Sequence, residues 1–476
     1  MNRIYYLSLC FLLFTSQLNA QQYGLFNTGT MFDGFENPAQ KTFVLDYSRE
    51  LASNFFIPTF SINAANRGNN DFIRLLASEG KYTAREVPLG TKKLNSITQN
   101  SNTYIATLKI FRSWKYQKEI GLSWQIRTDA RMDYTNETLA LLDTYRRFEE
   151  SGLTDFDEAF NNKGLVQSYH QFSLSYRENY DKKLAFGVKL SLLSGISYNR
   201  LNITESNFSR QPDPAPDVSG DIAVKLSGYY KASFLKWDEL KQKDVAPLFK
   251  NPGASITMGT TYTAKNGTFI MANIKDLGLI RWSSKSAVAN FNRSVAISNP
   301  DTMSNKEVEN KITDVVLLTA KRQGFFAPTN AKVDFMISKP FNRYTPSLVI
   351  SKNIFYQGGD AAFVNRYNFG EFSLSAIPAY NFDGLFLFGA QALYKTPNFE
   401  FFLGSDNLFK TITQTNASTK QDATIGSGYN GISAYMGLGI KFGRTVEHPQ
   451  NSSFMPGIND NEGSFFQRLF GRKSRR

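Results

Sequence analysis

The sequence predicts an all-β protein, a transmembrane antiparallel β-barrel of about 14–16 strands with helical loop insertions. Three observations carry that prediction. Between Tyr429 and Phe442, the residues Ile432, Ala434, Met436, Leu438, Ile440 and Phe442 alternate with Gly431, Ser433, Tyr435, Gly437, Gly439 and Lys441. Strand side chains point alternately to opposite faces, so this stretch has one apolar face and one small or polar face. A barrel strand needs about 9–11 such residues to cross a bilayer, with lipid on one side and lumen on the other. The composition agrees: 41 Phe and 23 Tyr sit in a chain whose mean hydropathy is only −0.34. That balance is expected when half of each strand faces water. Finally, beyond residue 20 no apolar run approaches the ~18 residues that a membrane-spanning helix requires.

Taken in order, residues 1–20 read as a secretory signal peptide. Asn2 and Arg3 precede the apolar run Ile4–Phe14, and Leu18-Asn19-Ala20 supplies a small-residue cleavage site. Cys10, the only cysteine, lies inside that run, so the exported chain has no disulfide or thiol chemistry. Residues 21–41 show no alternation, and Asn37-Pro38-Ala39 opens on a turn dipeptide. They are read as an N-terminal segment entering or plugging the barrel, with a flexible leader as the alternative.

Residues 42–442 are the expected barrel. Thr42–Arg49 and Asn54–Ala64 read as its first strands, with Pro58 marking an end or edge. Asn102–Trp114 with Lys118–Asp129, and Val166–Tyr180 with Leu184–Arg200, form hairpins around Lys115-Tyr116-Gln117 and Asp181-Lys182-Lys183. Asp221–Leu235 follows; Ala254–Ala264 and Thr268–Trp282 then meet at Asn266-Gly267, a strong hairpin-turn pair. The remaining strands are Ile312–Ala320, Lys332–Ser338, Tyr344–Phe355, Phe369–Tyr380, Leu385–Lys395, Phe399–Gly404 and the final one. The lipid face includes Ile432, Leu438, Leu190 and Val188. The lumen face holds Ser433, Tyr435, Gly437, Gly389 and Gln391, small and aromatic, with no ordered charge ladder. Long connections belong outside the cell and short turns in the periplasm. The strand assignment obeys that rule in the second half and inverts it in the first, so one strand is missed or invented between Ile203 and Pro252. Helical spacing marks the insertions Asp71–Gly80 and Glu137–Gly152, whereas Thr411–Gly428 reads as a mobile polar loop.

Residues 443–476 form a basic tail. Phe465, Phe466, Leu469 and Phe470 stand beside Arg468, Arg472, Lys473, Arg475 and Arg476. The pattern suits an acidic partner or a membrane surface, and a solvated end is the alternative.

Little catalytic chemistry is visible. The net charge is +13, and in an exported protein this meets lipid phosphates or an acidic partner, not nucleic acid. His170 shares a face with Phe172, Leu174 and Tyr176, at a lipid interface and away from the lumen, and His448 lies in the tail. Asp155, Asp157 and Glu158 lack an ordered calcium-loop spacing. No catalytic residue, cofactor or metal site is expected, and the protein is read as non-enzymatic.

Several segments carry a family resemblance. Asn37-Pro38-Ala39 is similar to the N-terminal motif of FadL-type outer-membrane barrels. Lys275–Trp282, Gly404–Leu408 and Pro328–Ser338 resemble segments of Bacteroidota outer-membrane barrels of unknown function, distant relatives of PorV and the PorP/SprF proteins of type IX secretion. The resemblance implies a monomeric barrel in the outer membrane of a Gram-negative bacterium, without assigned catalytic residues. It supplies no fatty-acid site, and the basic tail departs from the FadL pattern. Two functions follow as expectations: transport of hydrophobic or amphipathic small molecules past residues 21–41, or a docking barrel in an envelope complex such as type IX secretion. In the second, the tail or the helical insertions hold a protein partner. A diffusion porin ranks last because rings of lumen charge are not evident.

Overall fold

The computed structural model describes residues 27–80, 82–113, 115–211, 220–234, 239, 241–448 and 464–469. The expected signal peptide at 1–20 lies outside them. Twenty β segments join into one closed antiparallel barrel of fourteen staves. The first stave is split into β1 (Arg49–Ser53) and β2 (Thr59–Arg67). It is followed by β3 (Leu94–Ser113), β4 (Lys118–Thr135), a short loop strand β5 (Asp155–Asp157) and β6 (Lys163–Asn179). The next, β7 (Leu184–Arg210), is 27 residues long, far more than the about 9–11 a membrane strand needs. Its partner stave is broken in two: β8 (Ile222–Ala232) pairs with the outer half of β7, and β9 (Pro252–Thr263) with the inner half. In the same way β10 (Phe269–Trp282) continues as β11 (Ala287–Ile297), and the following stave is β12 (Lys321–Arg322), β13 (Phe325–Pro328) and β14 (Lys332–Ser338). Then come β15 (Tyr344–Asn353), β16 (Gly359–Phe369), β17 (Phe372–Asn381), β18 (Leu385–Lys395), β19 (Phe399–Ser405) and β20 (Gly431–Thr445). Pairing of β20 with β1 and β2 closes the sheet and removes its edges.

The broken staves resolve the topological conflict. Asp221–Leu235 and Ala254–Ala264 are two halves of one stave, so the sequence assignment counts one strand too many there. With that corrected, the tight turns after Ser113, Asn179, Thr263, Phe369 and Lys395 gather at one rim, the same rim as the end of β20. The helical connections gather at the other, the arrangement of an outer-membrane barrel with its long loops outside.

Four further expectations are corrected. Phe43–Ser48 is a turn rather than a strand, with Ser48 N–H donating to the Val44 carbonyl at 2.9 Å; Phe43 is drawn inward into the core. Ile312–Ala320 lies mostly within a helix, Asn305–Leu317. Ser304 and Glu307 cap it reciprocally, and Val308, Ile312, Val315 and Val316 bury one helical stripe. Leu408–Lys420 is also a helix, where a polar loop is expected. β16 goes unrecognised because Ala361 and Asn365 interrupt the apolar alternation of its outer face. The insertions Asp71–Gly80 and Glu137–Gly152 do hold helices, at Asn70–Glu79, Asn136–Asp143 and Arg146–Glu150.

The outer wall has the surface a bilayer demands. Leu190, Leu192, Leu174, Leu122, Leu348 and Ile350 are exposed across its middle. Phe369, Phe372 and Tyr394 ring the short-turn rim, and Tyr380, Phe382 and Phe386 the opposite one. Beyond that outer rim, the extensions of β7, β8 and β11 pack with the helices against Phe148, Phe156, Phe208 and Ile312. This second, soluble-type core stands beyond the barrel wall.

Candidate functional site

The lumen is not empty. Residues 27–43 run through it, and the four-residue helix Asp33–Glu36 lies at its centre with every residue buried. Met31, Phe32, Phe35 and Phe43 pack against Tyr104, Phe402 and Tyr435 of β3, β19 and β20. Phe32 lies 5.6 Å from the Tyr104 ring and 5.8 Å from Phe402.

The remaining contacts are polar, and the wall supplies the charge. Wall cations take the segment's carbonyls: Lys395 donates to Gly29 at 2.6 Å, Lys109 to Gly34 at 3.0 Å and Arg177 to Ala39 at 2.9 Å. Wall carboxylates take its amides: Met31 N–H donates to Glu400 at 2.8 Å and Thr42 N–H to Glu119 at 3.0 Å. An irregular segment cannot satisfy its own backbone, and a buried unpaired amide or carbonyl costs about 1–3 kcal/mol. These side chains do what a sheet ladder would otherwise do.

Glu36 is the centre of this lattice. Its carboxylate accepts from Arg127 at 2.8 and 3.0 Å, from Lys275 at 2.8 Å, from Asn102 at 2.9 Å and from the Tyr104 hydroxyl at 2.6 Å. Two cations and two neutral donors thus converge on one carboxylate. Asp33 accepts from Thr28 N–H at 2.8 Å, from the Thr28 hydroxyl at 2.7 Å and from Gly29 N–H at 2.8 Å. Arg127 reaches from Glu36 to Asp276, which also accepts from Gln171 at 2.7 Å and faces Lys189 at 3.3 Å.

A β-bulge builds this junction. The pairing of β10 with β9 shifts register between Ile274 and Leu277, and Asp276 takes a positive φ of 52°. Consecutive residues Lys275 and Asp276 therefore both turn inward, where a regular strand would send one to lipid. This is the segment Lys275–Trp282 singled out in the sequence, and its physical meaning is the bulge.

Wall glycines make room for the segment. Gly187 on β7 and Gly259 on β9 are register partners. A Cβ at Gly187 would lie 2.2 Å from the Pro38 carbonyl carbon, and one at Gly259 would lie 2.0 Å from the Asn37 side-chain oxygen. Asn37-Pro38-Ala39 thus rests on a glycine shelf, with the Asn37 side chain accepting from Ala39 N–H at 2.9 Å. The lumen, expected to hold no ordered charge ladder, is densely ion-paired around residues 27–43. Ser433, Tyr435, Gly437, Gly389 and Gln391 do face inward, but the lumen there is packed: Tyr435 is fully buried and Gln391 donates to the Thr28 carbonyl. Gly437 leaves no space for a larger side chain, since a Cβ there would meet Phe402 at 2.5 Å.

Above the segment, toward the long loops, the lumen opens into a polar cavity of about 260 Å³ between β3, β4, β6 and the start of β14 and β16. A second concavity, of about 930 Å³, lies on the outer wall and is apolar. Phe55, Phe56, Leu108, Leu122, Leu174 and Leu190 line it. Phe55 and Phe56 come from the break between β1 and β2, where both take positive φ. Asn54 mends that break, donating to Ile57 at 2.8 Å and accepting from Thr107 N–H at 2.7 Å.

The other residues singled out by sequence are scattered. His170 is on the outer wall as expected, covered by the 241–249 connection. Its two ring nitrogens face Trp124 Nε1 at 3.2 Å and the Val245 carbonyl at 2.6 Å. Asp155 and Asp157 accept from Asn207. The tail returns to the barrel: the Ser464 hydroxyl and Phe466 N–H donate to Glu178 at 2.5 and 2.6 Å, and Phe466 packs on Tyr176 and Phe186. The short helix Phe465–Leu469 therefore sits at the short-turn rim, with Phe465 and Leu469 exposed. Arg472, Lys473, Arg475, Arg476 and the Arg468 side chain lie outside the described residues.

Comparison with known proteins gives one family. A model of a family of unknown function, DUF5723, matches residues 48–406. No curated protein matches. Among solved structures, the chain is similar to a ΔS2S3 mutant of the TodX monoaromatic hydrocarbon channel, at 11% identity and a TM-score of 0.42, covering 90% of this chain and 96% of that one. It is also similar to the translocator domain of the autotransporter NalP from Neisseria meningitidis, at 7% identity and a TM-score of 0.26, covering 83% and 90%.

Proposed function

This chain belongs to DUF5723, a family of unknown function, and we propose that it is a non-enzymatic outer-membrane channel closed from within by residues 27–43. The carrying observation is Glu36, held at the centre of the lumen by side chains from β3, β4 and β10 at once. A barrel that serves only as an anchor has no use for a separate segment held mainly by charged side chains of the wall. Such a contact is releasable as a unit, because the segment forms no strand pairing with the barrel. Passage then requires residues 27–43 to shift while the staves stay in place.

The cargo expected from the family resemblance, apolar or amphipathic molecules, finds support in the apolar concavity on the outer wall. The docking alternative draws on the rim helix Phe465–Leu469, whose exposed Phe465 and Leu469 adjoin the basic end of the tail. Contact with outer-membrane lipid or an envelope partner there, and kinship with PorV and PorP/SprF barrels, belong to the same proposal.

Liposome swelling with the full chain and with a chain lacking residues 21–41 tests the channel. The full chain should admit little solute and the shortened chain markedly more. No flux from either defeats the channel and leaves the anchor.

A further inference from the structure

The polar cavity at the outer mouth of the lumen takes no part in holding the plug segment, yet its lining is unusual for a merely structural void. Gln99, Asn100, Asn330 and Asp360 all line it, and each is more than nine-tenths buried. Each also has a side-chain polar atom without a protein hydrogen-bond partner: both amide atoms of Gln99, the carbonyl oxygens of Asn100 and Asn330, and one carboxylate oxygen of Asp360. Buried polar groups are nearly always paired, and an unpaired one costs about 1–3 kcal/mol. Four converging on one cavity are arranged for something that enters it.

We infer that this cavity binds an uncharged, hydroxyl-rich small molecule of the saccharide type. The charge balance selects against ions: four Asp line the cavity against two Lys and two Arg, so the field cancels. Several of the charges already neutralise one another, Arg131 lying 3.0 Å from Asp133 and 2.7 Å from Asp383. What is left over is hydrogen-bonding capacity of both kinds, more acceptors than donors. A hydroxyl group donates and accepts through one atom, so a polyol satisfies such a set, while a hydrocarbon would leave every member unpaired. Tyr229 and Tyr356 also line the cavity, with the Arg200 guanidinium over both rings at 5.6 and 5.9 Å. The volume, about 260 Å³, lies just below the roughly 300–1,000 Å³ of drug-sized ligand pockets. That favours one or two sugar rings over an oligomer.

The inference rests on the channel reading, but it places a polar molecule at the outer mouth where the family resemblance implies an apolar cargo. It is tested on the full chain in detergent by titration calorimetry with glucose, galactose, mannose, N-acetylglucosamine and their common disaccharides. At least one of these should bind saturably, and Gln99→Leu and Asn330→Leu should each weaken it at least tenfold while keeping heat-modifiable migration. Asn353→Leu, at a less buried lining position whose side-chain oxygen is also unpartnered, serves if either variant fails to fold. Toluene, glucuronate and choline should not compete. No binding across the sugar panel, binding indifferent to the variants, or competition by toluene or choline overturns the inference. Flux is measured separately in liposomes: flux without sugar binding defeats this inference alone, and sugar binding without flux defeats the channel alone.

Discussion

Gly187→Ala isolates the fit between barrel and plug. The added methyl would lie 2.2 Å from the Pro38 carbonyl carbon and 2.3 Å from both the Pro38 oxygen and Ala39 nitrogen, all of them backbone atoms that no rotamer change can move. Carbon atoms rest at roughly 3.5 Å, so residues 37–39 must retreat by about 1.3 Å. Retreat weakens the Arg177 bond to the Ala39 carbonyl, 2.9 Å in the native chain. Overpacking of this kind costs about 1–3 kcal/mol. Alanine is at least as good as glycine in a strand, so the penalty falls on the docked segment and not on the barrel. A displacement energy of about 1–3 kcal/mol changes the displaced fraction by about 5- to 150-fold. Planar-bilayer conductance and limited proteolysis of the N-terminal segment read that fraction. Gly164→Ala is the control, because its Cβ would meet nothing closer than Leu201 at 3.9 Å. If Gly187→Ala folds normally yet keeps native conductance and native protection of the segment, the docking geometry argued here is wrong.

Three more predictions bear on other parts of the molecule. Arg127→Leu removes the cation that Glu36 and Asp276 share, leaving Glu36 with Lys275 and Asp276 with Lys189, and should cost about 1–3 kcal/mol by urea unfolding; no measurable loss would mean the lattice is solvated like a surface pair. Leu190→Arg should cost about 2–4 kcal/mol from the lipid side, and Gly437→Arg should also impair assembly because Phe402 and Thr59 fill the space beside it; gel migration before and after heating compares them. Deleting Gly457–Arg476 should leave assembly intact and remove a salt-sensitive envelope contact, and Glu178→Ala should expose Phe465–Leu469 to protease without altering the barrel. Equal recovery of partners by full and shortened chains at low and high salt would reduce the tail to a solvated end.

The sequence by itself determines the class of this protein, because period-two alternation is local. β20 can be read from a dozen residues: Ile432 through Phe442 face lipid, and Gly431 through Lys441 face the lumen, in the order the pattern dictates. Loop helices Asn70–Glu79 and Asn136–Asp143 are legible for the same reason, through their spacing. The stave count is less so, since nothing near residue 240 states that β8 and β9 both pair with β7. The lumen is where local reading fails. Lys109, Glu119, Lys275, Glu400 and Lys441 look like ordinary water-facing strand residues, and only closure of the barrel brings them around residues 27–43. Glu36 and Lys275 are 239 residues apart, and no periodicity links them. Asp276 reveals its inward turn only through a bulge, a register event between two strands. Tertiary structure alone decides this because an ion pair in a barrel is set by which staves face one another across the lumen, a distance the sequence does not measure.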